Sequence, residues 1–520
     1  MTARGVTGLL LLAMALTVPV NGRAPATRDL RGVDGLARAY DSILEARFDQ
    51  VDAELRRACP PAPQEACEVL AVTSLWWRIQ LDPDSLAHDT EFETAADRAI
   101  ASTEAWVARD ETDAEAWFYM GAAYAVRVQW RVLRDEKLSA ARDGKRILRA
   151  LEKALELDPG LDDAYFGMGM YKYYADVAPA AARFLRALMF LPGGDRKLGL
   201  EQMLRARARG KLLQGEAEYQ LHIIYLWYER QTPRALGILA DLREHYPGNP
   251  LFLSETARIQ NEYQHDVSAS LASWRTLLAA AREQRINAPM LAEVRARLAI
   301  AELLERLHQT DQAIEQLQAV IALKPQAPFG SLPLAYLRLG EAHDRLGDRP
   351  AALQSYRSAL ALSPYPDVHQ VRTGATTRTR KAPDAKQAEA YRLSLSGWRL
   401  LEQNDIEGAA ATLERSLLLH GADPVARYRL GRALQAKKND AAALVQFEAA
   451  IRAGKQCPAP ILGSAYVEAA RLHERAGHAE QAISYYRIAS TLFGAATETR
   501  SAASRALSRL KTSTTRTPRD

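Results

Sequence analysis

The sequence predicts an all-α protein built as an α-solenoid, in which helix–turn–helix units stack along one axis. Two observations predict this fold: the chain is rich in Ala, Leu and Arg, which favour helix, and it repeats itself at a fixed period. Its 68 basic and 63 acidic residues nearly cancel, leaving a net charge of +5 over 520 residues. This near-equality of basic and acidic residues argues against nucleic acid as a partner, because nucleic-acid binding needs a concentrated basic face.

The first 26 residues have the composition of a secretory signal peptide. Arg4 precedes the apolar run GLLLLAMALTVPV, and small residues follow at Gly22 and in the stretch APA. A membrane anchor is the alternative, but a spanning helix needs ~20 apolar residues, and this run is broken near Pro19. We therefore expect an exported protein, periplasmic or associated with the cell envelope.

Two of the three cysteines, Cys59 and Cys67, flank the proline-rich segment CPPAPQEAC. In an oxidising compartment these two form a disulfide across the turn or remain as two free thiols, and Cys457 would stay unpaired. The sequence has no CxxC motif and no histidine ligands near its cysteines. It therefore predicts no metal site and no other cofactor.

The internal repeat is clearest where residues 335–364 are aligned with residues 426–451. The equivalent positions carry glycine, alanine or an aromatic residue in both units: Gly340 and Gly431, Ala352 and Ala443, Tyr356 and Phe447, Ala359 and Ala450. Gly and Ala allow two helices to approach closely, an aromatic ring fills the space between them, and Pro364 ends the second helix. This pattern resembles the tetratricopeptide repeat (TPR) family, whose unit is a 34-residue helix–turn–helix. The resemblance implies a right-handed superhelix of stacked units.

Similar units extend over most of the chain and set its expected organisation. Residues 27–112 are helical and amphipathic and look like divergent capping repeats. A first TPR-like block covers 113–362, with an insertion at 175–192, and a second block covers 389–508. The segment 363–388 is basic and contains prolines without a helical apolar period, so we expect a linker loop there. Residues 509–520 are predicted to be disordered.

The stretch LPGGDRKLGL, within the first block, first suggests a phosphate-binding loop. Cyclic-dinucleotide cyclases also carry a GGD sequence, but there an acidic and an aromatic residue follow it on a hairpin. Here Arg196 and Lys197 follow, and GGDRKLGLEQM aligns with LGDRPAALQSY of the clear repeat. We therefore predict a turn between two helices, with Asp195 capping the second helix.

The unit that contains this turn also contains the insertion. Its YKYYAD helix, apolar insert and LPGGDRKLGL turn resemble a subgroup of exported bacterial TPR proteins. The insert, residues 177–191, has apolar residues at helical spacing and two arginines on its other side. Three interpretations remain open: the insert fills the groove of its own solenoid, it leaves that groove open, or it lies on a membrane surface.

Binding is the function that a TPR resemblance implies, because stacked units form a long concave surface. In that family the surface is lined by the first helix of each unit. Position by position, this predicts a partner-binding groove formed by Phe118, Phe166, Met170, Tyr173, Gln220, Ile224, Trp227, Tyr428 and Arg432. No catalytic motif is recognisable, so we expect a non-enzymatic scaffold or adaptor that binds an unidentified protein or peptide. The alternative is a peripheral membrane or assembly-complex component that uses the insert 177–191.

Overall fold

The structure is a computed structural model that describes residues 29–177 and 193–514. Within these ranges the chain is all-α, without a β-strand. The helices of the first half are α1 Val33–Leu44, α2 Phe48–Ala58, α3 Gln64–Leu81, α4 Asp89–Arg109, α5 Ala114–Leu133, α6 Lys137–Leu157, α7 Ala164–Val177, α8 Arg196–Arg209, α9 Gln214–Trp227, α10 Thr232–His245, α11 Pro250–Glu262 and α12 Val267–Arg282. Those of the second half are α13 Pro289–Arg306, α14 Thr310–Leu323, α15 Ser331–Arg345, α16 Arg349–Leu362, α17 Val371–Arg380, α18 Ala385–Glu402, α19 Ile406–Leu419, α20 Pro424–Ala436, α21 Asp440–Arg452, α22 Ala459–Arg475, α23 Ala479–Thr491 and α24 Thr497–Thr514.

Consecutive helices pack as antiparallel hairpins, and each hairpin packs on the next one along the chain. This arrangement confirms the predicted α-solenoid of helix–turn–helix units. Where the glycine of the first helix faces the aromatic residue of the second, no side chain would fit. A Cβ atom on Gly340 would lie 2.4 Å from Cε1 of Tyr356, and one on Gly431 would lie 2.6 Å from Cε1 of Phe447. Both rings are fully buried, as the predicted packing requires.

The GGD stretch is a turn, as predicted. Asp195 precedes α8, and its carboxylate accepts the backbone N–H of Leu198 at 2.9 Å. The hydrogen bond satisfies one of the free donors at the helix N-terminus. Asp348 caps α16 in the equivalent way, with the N–H of Ala351 at 3.2 Å.

Two segments differ from the sequence-based expectation. The segment 363–388 was predicted to be a loop, but Val371–Arg380 form α17, whose Val371 and Ala375 are buried against α15 and α16. Helix formation here follows from burial of these two side chains, although the sequence of α17 lacks a continuous apolar face. The last helix, α24, reaches Thr514, so the prediction of disorder from residue 509 is wrong up to that residue.

Cys59 and Cys67 form a disulfide across the turn between α2 and α3, with their Cα atoms 6.5 Å apart. Cys457 is buried, and burial raises the pKa of its thiol to about 12. The predicted signal peptide and the insert 177–191, apart from its first residue, lie outside the described residues.

Hydrogen bonds also join hairpins that are far apart in sequence. At the end of α1, the backbone carbonyl of Leu44 accepts the Asn249 amide at 2.6 Å, and the carbonyl of the next residue, Glu45, accepts the Asn287 amide at 2.7 Å. Further along, the carboxylate of Asp82 accepts the backbone N–H of Phe329 at 3.0 Å. One part of the solenoid is therefore fixed against another by polar contacts, in addition to the apolar contacts between neighbouring units.

Candidate functional site: an apolar cavity among the first hairpins

A cavity of about 800 Å³ lies among α3, α5, α6 and α7 and the start of α9. Its wall is mainly aliphatic and aromatic and includes Leu70, Trp76, Phe118, Ile147, Phe166 and Met170. Large apolar cavities with a few polar groups are the usual sites of ligand binding in proteins. This cavity is therefore the candidate functional site.

Small residues on the surrounding helices create the space. Gly121 and Ala122 on α5 and Gly144 on α6 line the cavity. A Cβ atom on Gly144 would meet no atom within 4 Å, so this position faces open space. Larger residues at these positions would fill the volume that the present sequence leaves open.

A buried carboxyl group stands in the cavity wall. Glu216, in the first turn of α9, is fully buried, and its Oε2 accepts hydrogen bonds from the hydroxyl of Tyr40 and from Nε1 of Trp77, each at 3.0 Å. Its other oxygen, Oε1, is buried without a hydrogen-bond partner in the described structure. Burial raises the pKa of the Glu216 carboxyl, and the nearby side chains of Tyr40, Trp77 and Gln220 oppose that rise only in part.

A second carboxyl in the wall has a structural role. Asp163 accepts the backbone N–H groups of Lys211, Leu212 and Leu213 at distances of 2.8–3.1 Å and so fixes the chain that leads into α9. Burial raises the pKa of Asp163, and these three bonds lower it. Its accepting capacity is used by the backbone, in contrast to that of Glu216.

Four of the predicted groove residues lie at or beside the cavity. Phe118, Phe166 and Met170 line it, and the amide of Gln220 donates to Oε1 of Gln129, which also lines it, at 3.3 Å. Phe118, Phe166 and Gln220 are nevertheless largely buried. At these positions the structure has a cavity between the helices.

Two other predicted groove residues, Tyr173 and Ile224, are fully buried in the core and do not face a groove. The hydroxyl of Tyr173 donates to Glu229 at 2.5 Å, and Arg196 pairs with the same carboxylate at 2.6 Å. These hydrogen bonds lower the pKa of Glu229. Tyr173 therefore belongs to a structural cluster between α7, α8 and the end of α9.

Trp227 is the predicted groove residue that is most exposed, at 53%. It lines a shallow pocket with Leu226, Arg230, Thr232 and Tyr263, the last of which is 40% exposed. We call these five residues the Trp227 patch. The patch lies at the end of α9 and does not overlap the lining of the cavity.

The remaining two, Tyr428 and Arg432, lie on α20 in the second block and are half-buried. They contact each other, with Nη1 of Arg432 3.2 Å from the Tyr428 hydroxyl. The Tyr428 ring packs against Trp398 and Phe447. They are part of neither the cavity nor the Trp227 patch.

Sequence reasoning missed Glu216. The available signal was its spacing from Gln220, which lies one helical turn later on the same face of α9 and was assigned to the groove. An acidic residue on a face that otherwise carries apolar residues indicates a buried carboxyl.

In the described ranges, no group of three or more His, Cys, Asp or Glu side chains is arranged to hold a metal ion. Among the helices described there, none is long and apolar enough to cross a membrane. The basic residues that follow the GGD turn pair with acidic residues: Arg205 and Arg209 with Asp162, and Arg207 with Glu218 and Asp241.

Comparison with known proteins identifies the repeated unit. Residues 334–366, which cover α16 and all but the first three residues of α15, match the model of the tetratricopeptide repeat family. This segment is a tetratricopeptide repeat. Gly340 and Tyr356 of this TPR make the close contact described above, and Gly431 and Phe447 repeat it in α20 and α21.

Among curated proteins, the chain is similar to tetratricopeptide repeat protein 29 of Trypanosoma brucei brucei, with 39% identity over 67 residues. The match covers 13% of this chain and 14% of that protein. The chain thus matches only a small part of this relative's length.

Solved structures with similarity to the chain include several TPR proteins. A tetratricopeptide repeat protein from Parabacteroides merdae covers 57% of this chain and 98% of its own, with 14% identity and a TM-score of 0.25. Yeast Tom70 covers 93% of this chain and 96% of its own, with 12% identity and a TM-score of 0.25.

Proposed function

We propose that this protein is a non-enzymatic TPR scaffold of the cell envelope that binds a protein or peptide partner on its concave surface. The repeat architecture supports a role in protein–protein interaction, since stacked hairpins present an extended surface. The N-terminal sequence and the Cys59–Cys67 disulfide support an exported location, because disulfides persist in oxidising compartments.

The observation that carries the proposal is the Trp227 patch. Exposed Trp, Tyr and Arg side chains supply most of the binding energy at protein interfaces. Here Trp227, Tyr263 and Arg230 surround one shallow pocket, and the neighbouring Tyr228 is 39% exposed. We propose that an apolar side chain of the partner enters this pocket, with an acidic group next to Arg230.

Affinity capture from an envelope extract, read by mass spectrometry, tests this proposal. The parent chain is compared with a Trp227→Ala, Tyr263→Ala variant and with a Leu418→Ala control, which removes an 83% exposed apolar side chain from another hairpin. We expect a partner that binds the parent and the control and is lost from the patch variant. Retention of the same partner by the patch variant would place the docking surface elsewhere on the solenoid.

The alternative, a peripheral membrane or assembly-complex component, depends on the insert 177–191. Almost all of this segment lies outside the described residues, so the alternative remains a prediction from sequence. Flotation of the parent with anionic vesicles, and its loss in a Phe184→Ser, Leu188→Ser variant, would support it.

A further inference from the structure

We propose that the cavity is a binding site for a small apolar molecule that carries a protonated amine, with the amine held by the carboxyl group of Glu216. This inference goes beyond the proposed scaffold function and does not depend on it. The cavity and the Trp227 patch share no lining residue. Each can therefore be disabled without the other.

The size and lining of the cavity fit a small ligand. Its volume, about 800 Å³, lies within the range of roughly 300–1,000 Å³ typical of small-molecule sites. Aromatic side chains such as Trp76, Phe118 and Phe166 form much of its wall. An alkyl or aromatic body would bury its surface there and be stabilised by the hydrophobic effect.

The charge at the wall selects the head group. Glu216 lines the cavity, and the hydrogen bonds from Tyr40 and Trp77 are both directed at Oε2. Both donors are neutral, and Glu216 forms no ion pair with a described residue. An ionised carboxyl that is buried without a cationic partner is costly in free energy, and a protonated amine that approaches Glu216 from the cavity would stabilise the ionised form.

Other head groups fit this wall less well. A carboxylate would place a second negative charge next to Glu216 and near Asp163, which also lines the cavity. An alcohol would donate a hydrogen bond to the carboxyl but would leave it without a counter-charge. An amine provides both the hydrogen bond and the charge, so the wall favours it over the other two.

The experiment compares three probes of the same chain length: dodecylamine and dodecanoate, each below its micellar concentration, and dodecan-1-ol below its solubility limit. Binding to the full chain is measured by isothermal titration calorimetry at pH 7. We expect dodecylamine to bind with a Kd at least ~10-fold lower than that of dodecan-1-ol, since hydrogen bonds to charged groups contribute about twice as much as neutral ones. Dodecanoate should bind most weakly.

Two variants assign the binding to this site. Gly144→Leu places a side chain in the open space of the cavity, and Gly237→Leu makes the same change on α10 at another helical glycine with no atom within 4 Å of a new Cβ. Both changes remove a glycine from a helix and should preserve the fold. We expect Gly144→Leu to lose all probe binding and Gly237→Leu to retain it.

Glu216→Gln tests the head group. This variant keeps the size of the side chain and its ability to accept from Tyr40 and Trp77, so the ratio of amine to alcohol affinity should fall to about one while alcohol binding persists. Equal affinities for the two probes in the parent would overturn the assignment of the amine. Absence of binding by all three probes would overturn the site itself, because the cavity is then occupied by the chain or closed. Binding that Gly144→Leu leaves unchanged would also overturn it, because the probes then bind outside the cavity.

Discussion

The carboxylate of Asp266 accepts the backbone N–H of Thr497 at 2.8 Å, across 231 residues of sequence. The Thr497 hydroxyl donates to the same oxygen, and the other carboxylate oxygen accepts the N–H of Ala269 at 3.0 Å. The Asp266 side chain therefore caps α12 and also binds the start of α24. Asp266 is buried, and the ring of Phe493 packs against that of His265 beside it. The end of the solenoid is therefore attached to its middle.

Removal of the Thr497 hydroxyl should loosen this attachment. In Thr497→Val the backbone N–H still reaches Asp266, but the hydrogen bond from the hydroxyl to the charged group is lost, at a cost of about 1.5 kcal/mol. We expect faster amide hydrogen exchange in α24, measured by mass spectrometry. Thr491→Val is the control, because the Thr491 hydroxyl bonds only within α23. Equal exchange in both variants would show that the long-range contact does not hold α24.

Substitution of the repeat glycine should destabilise its hairpin. Gly340→Ala places a methyl group 2.4 Å from the Tyr356 ring, which must shift, and overpacking of this kind costs about 1–3 kcal/mol. Thermal unfolding followed by circular dichroism measures the effect. Gly237→Ala should instead raise stability by up to about 1 kcal/mol, because its Cβ has free space on a helix. Tyr356→Leu should relieve the clash, so an additive double mutant would contradict this explanation.

Loss of the Asp195 cap should weaken the start of α8. Asp195→Ala removes the acceptor of the Leu198 N–H and should cost about 1 kcal/mol. Hydrogen exchange of the first turn of α8 is the direct measurement. Lys197→Ala, in the same turn with a 90% exposed side chain, should leave the exchange unchanged. A larger effect from Lys197→Ala than from Asp195→Ala would exclude the capping role.

His222 should make the fold sensitive to acid. Burial lowers the pKa of His222 to about 4, against about 6.5 in the unfolded chain. The unfolded chain therefore binds a proton first, so the stabilising contribution is complete above pH 6.5 and is lost as the pH falls towards 4.

In His222→Phe this contribution is absent, and the decrease in Tm between pH 7 and pH 5 should be smaller than in the parent. The difference between the two slopes isolates His222, because His308, which shares the lowered pKa, is present in both proteins. Parallel slopes would show that His222 is protonated equally in the folded and unfolded chains.

The repeat spacing predicted the fold but did not predict the burial of individual positions such as Tyr173. Gly340, Tyr356 and Asp195 have local roles, since each acts within one hairpin, and for these the alignment of repeats was sufficient. The hydroxyl of Tyr173 is paired with Glu229, which follows α9 and is itself paired with Arg196 of α8, and the position of a residue within its repeat does not predict such contacts. For the same reason α17 was predicted to be a loop: its helix depends on burial against α15 and α16 more than on its own pattern.

The long-range contacts also restrict how such a chain can change in length. Repeat proteins commonly gain or lose whole units, because each unit contacts only its neighbours. Here Leu44 meets Asn249, Asp82 meets Phe329 and Asp266 meets Thr497, each pair more than 200 residues apart. Deletion of one hairpin between any such pair would shift one partner past the other by a full unit. Duplication or loss of units is compatible with these contacts only outside the segments that the pairs enclose. The contacts therefore fix the number of hairpins between the two residues of each pair.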